Sequence, residues 1–201
     1  MLSINAVKDS HGVVSNYIGI ISDITEKKRT DEKNAYLANY DYLTGLPNRL
    51  KLMAVLESYI EDNKVSSLVV LFLDLDKFKP VNDRYGHQVG DELLVAVAKR
   101  LKACVRQADL VARLGGDEFI IVLKEPNTSS VAAEKVAQKI ISAISSAFNI
   151  SNLDININTS IGIALYPDDG EDPDSLITLA DNAMYKSKAA GTGVYHFCVD
   201  R

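Results

Sequence analysis

Ser67 to Leu73 is an apolar run rich in valine and leucine, and it ends in Asp74-Leu75-Asp76. A run this short with no polar alternation predicts a strand buried on both faces, which demands a sheet covered on each side. Side chains two apart on a strand share a face, so Asp74 and Asp76 point the same way. Two carboxylates at the end of a buried strand are costly unless something pairs with them. A hard divalent cation is a natural partner, because it prefers carboxylate oxygen and shares its remaining positions with phosphate and water. Asp76 alone reads as the residue that opens the next turn.

A second acidic feature lies downstream. Gly115 and Gly116 separate the apolar segments 110–114 and 119–123 and are followed by Asp117 and Glu118. This predicts a β-hairpin with a Gly-Gly turn, since hairpin turns need positive φ. Alone, it reads as an ordinary surface turn. Together with Asp74 it reads as a metal-phosphate site, with Asp74 and Asp117 as the ligand pair.

The rest of the chain alternates helix and strand patterns. Residues 25–40 are charged and free of glycine and proline, a solvated helix. Asn48 caps a helix to about Asp62. Val89, Leu93, Val97, Leu101 and Cys104 recur at helical spacing. Pro126-Asn127-Thr128 form a loop before a helix marked by Val136, Ile140 and Ile144. Ile155, Ile157, Thr159, Ile161 and Ile163 alternate, predicting one strand with one buried face. Asp172-Pro173 opens a last long helix that ends near Gly191, and 194–198 forms a final strand. The order contains βαββαβ, so the fold class is α+β with a ferredoxin-like core and an antiparallel-rich central sheet.

With 201 residues and 47% hydrophobic content, the chain can bury one sizeable core. A net charge of −5 argues against a broad nucleic-acid-binding face. An anionic ligand would need local lysines or a metal. Cys104 and Cys198 read as reduced thiols. No apolar run approaches membrane-spanning length and no signal peptide is evident, so a cytoplasmic location is expected; a membrane anchor would lie elsewhere in a longer parent protein. Residues 1–24 hold a Ser10-His11-Gly12 turn and an apolar stretch, 17–21, a hairpin too small to fold alone.

The motif Gly115-Gly116-Asp117-Glu118-Phe119 resembles the signature of the GGDEF family, the diguanylate cyclases. Five further segments share the resemblance. Asp41-Tyr42-Leu43-Thr44-Gly45-Leu46-Pro47-Asn48-Arg49 resembles the family's opening motif, and Asp74-Leu75-Asp76-Lys77-Phe78-Lys79 its metal and phosphate segment. Asn82-Asp83, Tyr85-Gly86-His87 and Gly90-Asp91 resemble its guanine-binding loop. Ala183-Met184-Tyr185 with Lys188 and Gly191 resembles its last helix, and Arg106-Gln107-Ala108-Asp109 its inhibitory product site. The similarity covers 41–197. Asp23-Ile24-Thr25-Glu26 resembles the exit of a PAS sensor domain, which gives three parts: 1–24 a PAS-like remnant, 25–40 a helical signalling linker, and 41–201 the GGDEF domain.

The resemblance implies a nucleotidyl-cyclase or polymerase-palm-like fold in which a homodimer condenses two GTP molecules to cyclic di-GMP. It implies Mg²⁺ or Mn²⁺, two per site, on Asp74, the Leu75 carbonyl, Asp117 and Glu118. Asp117 and Glu118 would be catalytic. Asn82, His87 and Asp91 would meet guanine; Lys77, Phe78, Lys79, Lys188, Gly115 and Gly116 would line the phosphates. The bland role of Asp91 is a helix N-cap. Cyclic di-GMP would inhibit through Arg106, Asp109 and Lys139, and Arg106 alone reads as a surface ion pair with Asp109. Thr192-Gly193 stands where the family typically has Arg-Asn, so a phosphate-binding guanidinium is missing. Three readings follow: an active cyclase under sensor control, a GTP-binding regulatory module of a protein with a C-terminal EAL phosphodiesterase domain, or a cyclic di-GMP receptor.

Overall fold

The computed structural model describes residues 2–8, 11–12, 14–21, 23–62, 65–124 and 130–199. It divides into two units, Met1–Ala38 and Asn39–Arg201. In the first, β1 (Leu2–Lys8) and β2 (Val14–Ile21) form an antiparallel hairpin with an irregularity between Val7 and Lys8. Gly12 has φ of 80° in the connecting turn. Ser10 of the expected turn lies outside the described residues. Asp23 Oδ1 accepts the Thr25 amide at 2.8 Å and so starts α1 (Thr25–Asn39).

The second unit opens with α2 (Arg49–Glu61), capped as expected by Asn48, whose side chain accepts the Lys51 amide at 3.1 Å. The apolar run becomes β3 (Leu68–Asp76), with all nine residues buried. Next come α3 (Phe78–Tyr85), α4 (His87–Cys104), β4 (Leu110–Gly115) and β5 (Glu118–Lys124). They are followed by α5 (Ser130–Ser145), β6 (Phe148–Ile150), β7 (Leu153–Ile155), β8 (Asn158–Tyr166), α6 (Pro173–Ala190) and β9 (Tyr195–Phe197). The Pro126-Asn127-Thr128 loop lies outside the described residues. The main sheet runs β4-β5-β3-β8-β9. Its first four strands are antiparallel and β9 adds parallel to β8. This is the ferredoxin-like path expected from the element order, with one extra edge strand.

Strand parity divides the core. Val69, Leu71, Leu73 and Leu75 face a layer from α4 and α5 that includes Leu93, Val97, Leu101, Ala137 and Ile140. Leu68, Val70 and Phe72 face the other layer, from α2 and α6, with Leu52, Leu56, Leu176, Ala180 and Met184. Each fully buried aliphatic side chain is worth about 1.5–3 kcal/mol, so neither face can be left bare.

Two expectations change. The alternating segment 155–163 is not one half-buried strand. Ile155 ends β7, paired with Phe148 of a small hairpin. β8 begins at Asn158 and is buried on both faces along its interior, because α6 covers the side that the alternation left polar. The Asn82–Asp91 segment is not a loop either. It is α3 and the start of α4, divided at Gly86, where φ is 86°. Among the described residues no helix is long and apolar enough to cross a membrane.

Gly162 of β8 shows how tightly α6 is seated. A Cβ there would lie 1.9 Å from the Ala180 carbonyl oxygen and 2.2 Å from the Met184 nitrogen. Neither backbone atom can step aside, so Gly162→Ala is expected to cost about 3 kcal/mol. Gly170→Ala would meet only side chains at 3.4 Å and is expected to stay within ~0.5 kcal/mol of the parent. Urea denaturation of the two variants separates the cases.

Candidate functional site

Parity continues past the apolar run. Asp74 and Asp76 follow Leu68, Val70 and Phe72 on the α6 face of β3. Register sets Asp74 opposite Glu118 of β5 on one side and Ser160 of β8 on the other. Like charges directly across a strand pair repel, and Asp74 is only 7% exposed. The countercharge comes from α6: Lys188 Nζ lies 2.7 Å from Asp74 Oδ1. Burial first, then Asp117 and Glu118, push the Asp74 carboxyl up from 3.8 to about 6 against the pull of Lys188. Glu118 is also raised, by burial and then by Asp181 and Asp117. Asp117 sits in the hairpin turn, and its carbonyl accepts the Leu75 amide at 3.3 Å, tying the turn to β3.

Among the described residues no three His, Cys, Asp or Glu side chains gather so that they alone could hold a metal ion. Mg²⁺ does not need one, since it takes one or two carboxylates and completes its shell with phosphate and water. A buried carboxylate beside a half-buried one, both with raised proton affinity and drawing in an ammonium, is a donor set short of positive charge. Asp74 and Glu118, with Asp117 beside them, fit a hard cation on that ground.

The hairpin differs in detail from a Gly-Gly turn. Gly115 pairs with Glu118, so the two loop residues are Gly116 and Asp117. Gly116 has φ of 51°, and Gly115 has φ of 152° beside a register shift from Arg113. Arg113 is the residue the sequence reading missed. It is 7% exposed, donates to both Asp41 oxygens at 2.8 and 3.0 Å, and reaches the Gly116 carbonyl through Nε and Nη2. It clamps the turn to the segment that opens this unit. Burial opposes charge on Asp41, but Thr44 and Arg113 outweigh it and hold that carboxyl below its usual range. The available signal was a lone arginine inside the apolar segment 110–114.

Asp76 does not merely open the next turn. Its oxygens accept Ser160 Oγ at 2.6 Å and the Gly193 amide at 3.0 Å. Lys77, at φ of 61°, occupies the N-cap position of α3 without a side-chain cap. Phe78 is buried and Lys79 exposed. Asn82 is half-buried on α3 and packs into the space left by Gly90, where a Cβ would fall 1.8 Å from Asn82 Oδ1. Asp91 is exposed on α4 and is not its cap, since the cap position is Gly86. Together with Leu43 and Gln88 it lines a groove of about 420 Å³. His87 is the exposed first residue of α4.

Arg106, Asp109 and Lys139 line one cavity of about 340 Å³, together with Lys135. Lys135 was not anticipated. Asp109 accepts the Arg106 backbone amide at 2.8 Å, and Lys139 donates to the Cys104 carbonyl at 2.8 Å. Thr192 lines a separate cavity of about 280 Å³ with Asp76, Lys77 and Asn158.

Residues 38–193 match the family described as diguanylate cyclase, GGDEF domain. The chain is 43% identical over 179 residues to the bifunctional diguanylate cyclase/cyclic di-GMP phosphodiesterase MucR of Pseudomonas aeruginosa, covering 86% of this chain and 25% of MucR. It is 40% identical over 178 residues to the cyclic di-GMP phosphodiesterase PdeR of Escherichia coli, covering 89% of this chain and 26% of PdeR. The chain thus spans about a quarter of these relatives. It also resembles the crystal structure of the GGDEF domain of TpbB (YfiN) of Pseudomonas aeruginosa, with a TM-score of 0.74 and 38% identity over 79% of this chain and 99% of that one.

Two outcomes test this geometry. Arg113→Ala takes the guanidinium from the half-buried Asp41 carboxylate and the Gly116 carbonyl and is expected to cost about 2 kcal/mol in urea denaturation. For Asp74 the folded pKa of about 6 lies above its ordinary 3.8. The folded chain therefore binds more protons between those values, and this group's contribution to stability falls as pH rises through that window. In metal-free melts the parent should lose Tm relative to Asp74→Asn from about pH 4 to 6, and the gap should then level off.

Proposed function

Because the chain belongs to the GGDEF family, we propose that it is a diguanylate cyclase. Two copies face one another, each holding one GTP, and the products are cyclic di-GMP and two pyrophosphates. The observation that supports this most is the row of Glu118 and Asp74 at a strand end, with Lys188 drawn onto it. Such a row binds what brings positive charge, and a nucleoside triphosphate would arrive with a divalent cation on its phosphates.

Asp74, the Leu75 carbonyl, Asp117 and Glu118 would hold Mg²⁺ or Mn²⁺, two ions per site. When bound, the metal neutralises phosphate charge and favours the ionised 3′-hydroxyl. The protein's own part is placement and proton transfer. The 3′-oxygen of one GTP forms a bond to the α-phosphorus of the other, and the bond from that phosphorus to the β-phosphate oxygen breaks. The hydroxyl proton passes to a Glu118 carboxylate oxygen; that group's raised proton affinity suits an acceptor. Asp117, beside it, is the other candidate for that role. Lys188 and Lys79 offset charge on the β- and γ-phosphates, with the amides around Lys77 and Phe78 and the backbone of Gly115 and Gly116 close by. Asp91 accepts from the N1–H and N2 amino donors of guanine, a pattern adenine lacks; Asn82 reads guanine with it, and His87 stands at the start of the same helix as Asp91.

Cyclic di-GMP would return to the cavity of Arg106, Asp109 and Lys139 as inhibitor. Residues 1–24 would end a PAS-like sensor and 25–40 would carry its signal. A second reading is favoured by two observations. Thr192 cannot supply a bidentate phosphate contact, and PdeR is named a cyclic di-GMP phosphodiesterase and MucR a bifunctional cyclase and phosphodiesterase. On that reading the chain binds GTP and regulates an EAL domain elsewhere in its parent protein.

Incubation with GTP and Mg²⁺, followed by nucleotide chromatography, tests the proposal. Cyclic di-GMP should form, at a specific rate that rises with protein concentration, and Asp117→Ala should form none. GTP binding without product, after any bound cyclic di-GMP is stripped, would replace the cyclase by the regulatory module.

A further inference from the structure

Asp76 is 8% exposed, and the proposed chemistry gives it no role. It lies two residues beyond Asp74 on the same face. Oδ1 accepts the buried Ser160 hydroxyl at 2.6 Å, and Oδ2 accepts the Gly193 amide at 3.0 Å. Bonds to an ionised acceptor are the stronger kind. Gly193 belongs to the turn that leaves α6, two residues past the helix cap Gly191, and has φ of 70°. Asp76 therefore joins three pieces: the end of β3, the start of β8 and the exit of α6.

Lys188 lies between two anchors of that helix end. Just before it, Ser187 is fully buried and donates to the Ile161 carbonyl of β8 at 2.8 Å. Just after it, Gly193 is held by Asp76. Both anchors reach the β3–β8 pair, whose β3 strand also carries Asp74. Lys188 itself is 38% exposed on a flexible stem, so its hold on Asp74 depends on where the helix end is fixed. We propose that Asp76 is a positioning residue, whose carboxylate pins the exit of α6 to β3 and thereby sets where Lys188 meets Asp74 and the phosphates of GTP. The part concerning GTP rests on the cyclase reading; the pinning does not.

An amide can replace the carboxylate in this role. Its oxygen accepts from Gly193 and its nitrogen donates to Ser160 Oγ, which accepts as readily as it donates. A metal-ligand role would not tolerate that exchange. The test uses the full chain with Asp76→Asn and Asp76→Ala, alone and combined with Lys188→Ala. The readouts are KM and kcat for GTP with Mg²⁺, and hydrogen exchange at the Gly193 amide by NMR. Asp76→Asn should keep KM within about threefold and the Gly193 amide slow to exchange, whereas Asp76→Ala should raise KM about tenfold with little change in kcat. The same Asp76→Ala change should speed exchange about tenfold or more. Adding Lys188→Ala to Asp76→Ala should raise KM by less than the product of the two single effects.

The proposal is overturned if Asp76→Asn falls as far as Asp76→Ala, because the charge itself would then be what matters. It is equally overturned if Asp76→Ala leaves KM and exchange as in the parent. Should Asp76→Ala not fold, Ser160→Ala removes one contact and is expected to give a smaller shift of the same kind in both readouts. If the parent neither binds nor turns over GTP, the cyclase reading fails, and Gly193 exchange alone decides the pinning.

Discussion

A carboxylate set at the end of a strand buried on both faces is the constraint around which this unit is arranged. β3 needs helices on each side to cover its alternating apolar rows. That cover makes the strand's last turn of register a poor place for charge. The Asp74 carboxyl is there nonetheless, opposite Glu118, and α6 answers it with an ammonium from Lys188. Sheet, helix packing and electrostatics thus converge on a few atoms. An apolar strand end would have been easier to fold, and the carboxylates fit a ligand better than they fit the core.

The hairpin is held by a different balance. Arg113 places a buried guanidinium between Asp41 and the Gly116 carbonyl. A buried ion pair of this sort adds little net stability over apolar packing, yet breaking it leaves a charge uncompensated. Its effect is to specify one arrangement of the Gly116-Asp117 turn relative to the segment before α2. The turn is also tied to β3 through the Leu75 amide, so the acidic residues are fixed from both sides.

Much of this was legible in the chain. The uninterrupted run before Asp74 named the central strand, Asn48 and Asp172 named two helix starts, and the apolar spacing from Val89 to Cys104 named a third helix. The parts that escaped notice depended on tertiary partners. Alternation in 155–163 suggested an open face because nothing local reveals that α6 lies over Gly162. Gly86, with its positive φ, divides two helices where a loop was expected. Arg113 went unread and Asp76 read only as opening a turn, because their partners, Asp41 and Gly193, are far away in sequence.

Gly162 gives the last of these contacts a mechanical meaning. Backbone meets backbone there, with no side chain between to absorb displacement. Helix α6 then behaves as a rod clamped at Ala180 to Met184. Lys188 lies eight residues beyond Ala180, about 12 Å along the axis at 1.5 Å per residue. A fraction of an ångström or a few degrees at the clamp would have to be taken up by the Ser187 and Gly193 anchors on either side of Lys188. The absence of one methyl group in the sheet thus acts as a gauge for an electrostatic distance two turns away.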